Sequence, residues 1–309
     1  MTRVSNVLNS IGNTPIVQLQ RIPRRGSARV LAKLEWTNPT GSMKDRMAKA
    51  AIEGAEEKGL LIPGGTAVEY TAGTTGVSLA LVCAAKGYRL HIVTSDAFSE
   101  EKIRTMKAFG AEVTLVPSHR KQINEALIKK MIETAARLSA QPDHWWVDQL
   151  NNHDAIGGYL PLGEEIWEQT EGKVDAFVQA VATAHSIHGA ARALRKHKRD
   201  IHIAAVEPVE SAVLSGGPSG SHKIEGIGIG FIPPLWEPSE VNEILTVSTE
   251  DAKAMARRLT REEGLFAGTS SGANVVAALR VAERLGPEAT VVTIIVDSGL
   301  RYLSTDLYS

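Results

Sequence analysis

The sequence predicts an α/β fold of two lobes, each a mainly parallel sheet covered by helices. Three observations carry this. Short strand-like runs alternate with longer helix-period runs along most of the chain, which is the pattern of parallel sheets covered on both faces. The alternation falls into two series with a seam near Leu150. The length, 309 residues, suits two lobes better than one. The smaller lobe is expected over 41–150, and the larger over 1–40 together with 151–309.

Taken in order, Ser10-Ile11-Gly12-Asn13-Thr14-Pro15 reads as a turn entering a strand at Ile16-Val17-Gln18-Leu19. A second strand, 30–34, runs into Asn38-Pro39-Thr40-Gly41, whose turn dipeptides bend the chain sharply. A helix begins at or just after Lys44 and carries Met47, Ala48, Ala51 and Ala55; Ser42 suits its N-cap and Asp45 its first turn. Strands follow at 67–70, 90–94, 112–116 and 145–148, separated by helices at 75–86, 99–109 and 121–138. The second series has strands at 176–182, 201–207 and 290–296, and helices near 155–170, 187–197, 249–263 and 271–285. Connections in such sheets are right-handed. Gly216-Gly217-Pro218-Ser219-Gly220-Ser221 is the most flexible-looking loop.

Composition narrows the function. Hydrophobic residues make up 43% and charged residues 22%, an ordinary globular balance. A net charge of −1 gives no electrostatic case for nucleic acid or an anionic membrane. The single cysteine, Cys83, excludes an internal disulfide framework, fits a reducing cytosol, and lies in an apolar run as a packed core thiol. Met1-Thr2-Arg3-Val4-Ser5 has no apolar signal core, and no apolar run is long enough to span a bilayer. The chain stops soon after Tyr308, so no appended regulatory module is expected.

Lys44 is the pivotal candidate. At the point where strand hands over to helix, it sits in the positive field of a helix N-terminus; that field and any desolvation lower its pKa. A neutral amine is what a Schiff-base lysine needs. A surface lysine opening a helix is the plainer alternative, and the flanking residues decide between them. The stretch Lys33-Leu34-Glu35-Trp36-Thr37-Asn38-Pro39-Thr40-Gly41-Ser42-Met43-Lys44-Asp45-Arg46 resembles the lysine motif of the cysteine synthase and cystathionine β-synthase family. These are pyridoxal-phosphate (PLP) enzymes of the tryptophan synthase β-type fold, fold type II. The resemblance runs over nearly the whole chain and includes the Gly12-Asn13-Thr14-Pro15 segment. It implies that Lys44 holds the cofactor, that the first strands return to the second lobe, and that the smaller lobe moves on substrate binding. It also implies a cofactor site at the lobe boundary, where the carboxyl ends of strands form a crevice.

Six further stretches extend it. Glu69-Tyr70-Thr71-Ala72-Gly73-Thr74-Thr75-Gly76 closes a strand and opens a helix, exposing N–H groups that suit an anion. A capped strand-to-helix turn is the alternative reading. The stretch is similar to the family's substrate loop, usually Thr-Ser-Gly-Asn-Thr-Gly, so Thr71, Ala72, Gly73 and Thr75 are candidate substrate contacts. Thr74 takes the place of the asparagine that meets the cofactor's phenolic oxygen, and Ala72 that of the serine. Gln149, in Asp148-Gln149-Leu150-Asn151-Asn152, resembles the family's second carboxylate contact; its plain reading is a loop glutamine.

Ala182-Thr183-Ala184-His185-Ser186 stands where the family has the phosphate cradle Gly-Thr-Gly-Gly-Thr. Thr183 and Ser186 keep the hydroxyls; Ala182, Ala184 and His185 replace glycines. Any of these that requires positive φ costs ~1 kcal/mol or more. His185 adds charge to a phosphate when protonated. His185 and His188 share a helix face without an accompanying carboxylate or cysteine, so no metal is assigned.

Lys223-Ile224-Glu225-Gly226-Ile227-Gly228-Ile229-Gly230-Phe231-Ile232-Pro233 is glycine-dense, but Pro233-Pro234 forbids the helix a dinucleotide fingerprint needs. It resembles the family's loop bordering the active site, with Gly228 a candidate substrate contact. Gly268-Thr269-Ser270-Ser271-Gly272-Ala273-Asn274 and Val296-Asp297-Ser298-Gly299-Leu300-Arg301-Tyr302-Leu303-Ser304-Thr305 complete the resemblance. Ser298 takes the place of the family's pyridine-nitrogen partner, and Asp297 competes with it on chemistry alone. A carboxylate there makes the ring a strong electron sink; a hydroxyl makes a weaker one, suited to elimination at Cβ.

The resemblance thus implies PLP-dependent β-elimination and β-replacement on a serine-type amino acid such as O-acetylserine. Sulfide or a thiol is the nucleophile, and cysteine or a related β-substituted alanine the product. Lys44 serves as base at Cα, and closure over the substrate excludes water. A homodimer in the cytoplasm is the implied state. Cystathionine synthesis is the alternative within the class. A degenerate homologue that binds an amino acid or a partner without turnover is the alternative outside it, motivated by the altered loops.

Overall fold

The computed structural model describes residues 4–120 and 125–309. Among the described residues the strands in chain order are β1 (Ile16–Gln18), β2 (Arg29–Leu34), β3 (Thr66–Tyr70), β4 (Arg89–Ser95), β5 (Glu112–Val116), β6 (His144–Trp146), β7 (Ala176–Ala180), β8 (His202–Pro208), β9 (Glu243–Val247) and β10 (Thr290–Ile295). The α-helices are α1 (Lys44–Glu57), α2 (Thr74–Lys86), α3 (Glu100–Ala108), α4 (Glu125–Ser139), α5 (Asp154–Gly157), α6 (Leu160–Gln169), α7 (His185–His197), α8 (Thr249–Arg258) and α9 (Thr269–Leu285). The chain divides into two compact units: described residues through Ile11 with Lys44–Gly158, and Gly12–Met43 with Tyr159–Ser309.

The first unit is built on a four-stranded sheet in the order β5-β4-β3-β6, with every pairing parallel. β3 is buried along its whole length, as a central parallel strand covered on both faces must be. Met47, Ile52, Leu79, Ile92, Met106 and Met131 are fully buried in its core. α2 is apolar almost all round and stops at Gly87, whose left-handed φ of 78° lets its N–H reach the Cys83 carbonyl. Cys83 is packed in that helix at 1% exposure, and burial pushes its thiol up to about 12. Of the helix expected over 121–138, residues 121–124 lie outside the described residues and the rest is α4.

The second unit is built on a six-stranded sheet in the order β1-β2-β10-β7-β8-β9. Only the β1–β2 pair in it is antiparallel. Val30, Ala32, Val178, Val206, Val291 and Ile295 of the strands pack with Ala273, Ala277 and Val281 of α9 and with Met255 of α8 in one apolar cluster.

Two details differ from the sequence reading. β9 was not expected; it is an edge strand, half-buried over most of its length. The helix expected over 155–170 is two helices, because the chain turns at Gly158-Tyr159. A Cβ on Gly158 would meet the Arg46 carbonyl oxygen at 2.6 Å, so that turn packs against α1. Among the described residues no helix is long and apolar enough to cross a membrane.

Candidate active site

Parallel sheets present their loops at the carboxyl ends of the strands, and each unit gathers its candidate residues there. In the first unit β3 and β6 are neighbours. The chain leaving β3 forms Thr71 to Thr75, and the chain leaving β6 carries Gln149.

Thr71 is buried; its Oγ1 accepts the Gly73 N–H at 2.9 Å, and its carbonyl accepts the Thr94 hydroxyl at 2.8 Å. Gly73, at φ 134°, is the N-cap of α2 and offers no side chain to the first turn. The helix therefore begins with uncapped N–H groups, an anion site by both its donors and its dipole. Ala72 is exposed and Thr74 half-buried at this tip. Thr75 Oγ1 donates to Gln149 Oε1 at 3.0 Å, which joins the two loops. Gln149 Nε2 donates to the Tyr70 carbonyl at 3.0 Å.

Glu69 lies beneath this pair, fully buried. Its Oε2 accepts the Gln149 backbone N–H at 3.1 Å and its Oε1 the Tyr70 N–H at 3.0 Å. Burial is the largest influence on its carboxyl and pushes it up to about 8; the Gln149 N–H opposes this and the Asp148 charge reinforces it. The sequence reading gave Glu69 no role. Its signal was present, a carboxylate in an otherwise apolar strand ending at the loop.

Lys44 opens α1 and is half-buried. Burial lowers its pKa from the usual 10.5 to about 8, so the expected lowering is present with desolvation as its cause.

In the second unit β2, β10 and β7 are adjacent and parallel, and the chain leaving each of them carries candidates. Beyond β2 the chain is sewn to the segment beyond β10. The Ser298 N–H donates to the Gly41 carbonyl at 3.0 Å, Ser42 bridges Asp297, and the Met43 N–H donates to the Val296 carbonyl at 3.0 Å. Lys44 is the next residue along the chain. Ser298 is half-buried, and its Oγ accepts the Leu300 N–H at 3.3 Å, which leaves the hydroxyl proton to donate elsewhere. Asp297 is buried and its Oδ2 accepts the Tyr302 hydroxyl at 2.8 Å. Of the two competitors, the serine is the one with its side chain less committed.

Beyond β7, Ala182 is half-buried, while Thr183, Ala184, His185 and Ser186 are buried. Ala184 is the N-cap of α7 in the left-handed region, φ 69° and ψ −8°, and no side chain caps the helix. A left-handed residue followed by helix turns successive N–H groups into one concavity, the nest that binds anions. That loop fits a phosphate. Of the three replaced glycines only Ala184 adopts positive φ, so only one carries the strain. His185 Nδ1 shares a hydrogen bond with Thr183 Oγ1 at 2.9 Å. His188 turns to other partners: its Nε2 accepts the Glu237 N–H at 3.1 Å and its Nδ1 lies 2.8 Å from Glu240.

The Gly228 N–H donates to the Val181 carbonyl at 3.0 Å, which brings the glycine-dense loop beside the turn at 182–186. Gly228 has φ 59°, and a Cβ there would meet Pro208 Cγ at 2.6 Å, so glycine is required.

A family model described as pyridoxal-phosphate dependent enzyme matches residues 7–297. A cysteine synthase of Staphylococcus aureus is 42% identical over 313 positions, covering 99% of this chain and 97% of that protein. The crystal structure of a cysteine synthase from Entamoeba histolytica superposes with a TM-score of 0.93 at 38% identity, covering 99% of this chain and 91% of that one. That of an O-acetylserine-dependent cystathionine β-synthase from Helicobacter pylori gives 0.92 at 34% identity, covering 100% of each.

Proposed function

The chain belongs to the pyridoxal-phosphate-dependent enzymes, and from that premise we propose that it catalyses β-replacement on a serine-type amino acid. O-Acetylserine or a close analogue is the first substrate, sulfide or a thiol the second, and cysteine or a related β-substituted alanine the product. The observation that carries the proposal is Lys44. It is an amine lowered to about 8 at the head of α1, directly after the segment tied to Val296, Asp297 and Ser298.

The residues present fit the cofactor. Lys44 would hold its aldehyde carbon. The N–H groups of Thr183, Ala184, His185 and Ser186 would hold its phosphate, with Ala182 leading into that turn. The Ser298 hydroxyl would meet its ring nitrogen and Thr74 its phenolic oxygen. When bound, the cofactor supplies an electron sink that makes the Cα proton of an amino acid acidic and lets a β-substituent leave.

The chain does the remainder. The uncapped N–H groups at the head of α2, with Thr71, Ala72, Gly73, Thr75 and Gln149, hold the substrate carboxylate. Gly228 lets the substrate approach backbone without a side chain intervening. The Lys44 amine removes the Cα proton; lowered from 10.5 to about 8, it has a far larger neutral fraction near neutral pH than an ordinary lysine and is still strong enough to accept the proton. A serine rather than a carboxylate at the ring nitrogen favours loss of the β-substituent over transamination.

The same reading carries a cytoplasmic homodimer. Cysteine usage supports the reducing compartment: the single Cys83 allows no internal disulfide. The sequence resemblance supports the dimer, and sedimentation tests it.

The test of the reaction is direct. The purified protein should take up PLP, absorb visible light, and convert O-acetyl-L-serine and sulfide to cysteine. Borohydride reduction should leave a pyridoxyl label on Lys44, and Lys44→Ala should abolish both the absorbance and the turnover. Turnover undiminished in Lys44→Ala, or a label on another lysine, overturns the proposal.

A further inference from the structure

We propose that Glu69 is a positioning residue that sets the orientation of Gln149 for the substrate carboxylate. The inference rests on the reading that Gln149 binds that carboxylate, and adds what holds it there.

Tyr70 and Thr75 fix the orientation of the amide and leave its second N–H, at the long distance of 3.5 Å from Glu69, to turn to a carboxylate. Gln149 Nε2 is 3.0 Å from the Tyr70 carbonyl oxygen and 3.5 Å from Glu69 Oε1, and its Oε1 is 3.0 Å from Thr75 Oγ1. A peptide carbonyl can only accept, so the atom facing Tyr70 must be the nitrogen and the flipped amide is excluded. The backbone of the same residue is held by the same carboxyl group: Gln149 N–H donates to Glu69 Oε2 at 3.1 Å. Glu69 thus holds Gln149 through its backbone N–H, and with it the direction in which the side chain leaves the chain.

This grip is needed because the preceding residue is strained. Asp148 has φ 46°, a left-handed conformation that costs a non-glycine residue free energy and persists only where its surroundings enforce it. On one side Val147 N–H donates to the Val68 carbonyl, which continues the β3–β6 ladder. Asp148 then accepts through its carbonyl from Asn151 and Asn152, and through its carboxylate from the Asn151 amide. Gln149 is where the strained tip meets Glu69. Without the Glu69 acceptor, a buried Gln149 N–H would lack its partner, and the tip would lose the bond that aims the side chain.

Glu69 is also an expensive residue to keep. It is fully buried, beside the Asp148 charge, and among the described residues no lysine, arginine or histidine hydrogen-bonds to it. A glutamine would fill the same volume but place an NH2 against either the Tyr70 or the Gln149 N–H. The carboxyl group is the side chain of that length with two oxygens to meet two backbone donors. The site keeps it because both donors lie at the loop that receives substrate.

The experiment is a double-mutant cycle on the full-length, PLP-loaded enzyme. Glu69→Gln, Gln149→Ala and the double variant are titrated with O-acetyl-L-serine, following the cofactor's visible spectrum, without sulfide. Hydrogen exchange of the peptide spanning 147–152 is measured on the unloaded proteins. Glu69→Gln should weaken O-acetyl-L-serine binding about ten-fold in the wild-type background and less than two-fold when Gln149 is already alanine. It should speed exchange across 147–152 at least ten-fold. Equal weakening in both backgrounds, or unchanged exchange, overturns the role of Glu69. Unchanged binding in Gln149→Ala alone overturns the carboxylate reading on which it rests, a separate result. If Glu69→Gln does not take up PLP, Glu69→Asp goes through the same cycle with the same criteria, since its shorter carboxylate cannot meet both N–H groups.

Discussion

Gly73→Ala tests whether the head of α2 is built around a missing side chain. Gly73 has φ 134°, a value L-residues rarely adopt, and enforcing such a conformation costs about 1–3 kcal/mol. A Cβ would also lie 2.5 Å from Lys102 Cδ and 3.0 Å from Lys102 Cβ. Lys102 is only 5% exposed, so its stem has little room to yield, and overpacking of this kind costs a further ~1–3 kcal/mol. The lost freedom of the unfolded chain returns about 0.4–1 kcal/mol. The balance is a loss centred at about 3 kcal/mol.

Gly87, at the other end of the same helix, is the internal control. It also has positive φ, 78°, but nothing lies within 4 Å of where its Cβ would stand. Alanine there meets only the left-handed penalty of about 1–2 kcal/mol, less the same return, for a net loss of about 1 kcal/mol. Urea unfolding of the two unloaded variants should therefore separate them by about 2 kcal/mol. The functional contrast should be larger. Gly73→Ala displaces the N–H groups proposed to hold the carboxylate and should weaken O-acetyl-L-serine binding at least ten-fold, while Gly87→Ala leaves it unchanged. If the two variants agree within about 0.5 kcal/mol and bind alike, the Lys102 stem does not confine Gly73 and the reasoning fails.

Two further predictions concern single residues. Between pH 8 and 10.5 the unfolded chain keeps a proton on Lys44 that the folded chain has released, so stability attributable to this group rises with pH across that window. Below pH 8 both states are protonated and the burial cost stands at about 3 kcal/mol, so Lys44→Met should stabilise the unloaded protein by about 2–3 kcal/mol at pH 7 and by nothing near pH 10.5; a pH-independent gain contradicts this. Ala184→Gly relieves about 1–2 kcal/mol of left-handed strain, loses about 0.4–1 kcal/mol to unfolded-chain freedom and ~0.8 kcal/mol of buried methyl, and so should change stability by less than about 1 kcal/mol. Ala190→Gly, buried in the body of α7, should cost about 2 kcal/mol, and equal losses for the two in urea unfolding would remove the strain from Ala184.

Much of this architecture was legible because its signals are local. The alternation of runs gave the parallel strands, and turn dipeptides with small and hydroxyl residues marked each strand-to-helix corner. Lys44, Thr71, Thr183 and Ser298 all lie within a few residues of such a corner. What was not legible is order. β10 lies between β2 and β7 in the sheet although it is the last strand of the chain, and it is this insertion that ties Ser298 to Gly41. No spacing encodes that; only the family resemblance linked the two. β9 was legible and went unread: the run Ile244-Leu245-Thr246-Val247 is apolar and β-branched enough to have suggested it.

The turn at 182–186, proposed to hold the phosphate, shows why identity at a motif and competence of a motif are different questions. Read as letters, Ala182, Ala184 and His185 are three losses against a glycine-rich pattern. Read as backbone, they are one. Glycine is obligatory only where φ is positive or where a Cβ has no space, and in this loop positive φ occurs at residue 184 alone. Alanine is the smallest L-residue that can stand there, and the concavity it makes depends on the N–H groups rather than on any side chain. The strain at Ala184 is about the size of one lost helix cap, ~1 kcal/mol, which a helix of 13 residues with nine buried positions can absorb. Gln149 presents the converse case. Its letter matches the pattern, yet it is held by Glu69, Tyr70 and Thr75, residues 74 to 80 positions earlier in the chain. On the proposed role of Glu69, a site that keeps its glutamine and loses its buried glutamate looks intact in sequence and binds O-acetyl-L-serine poorly.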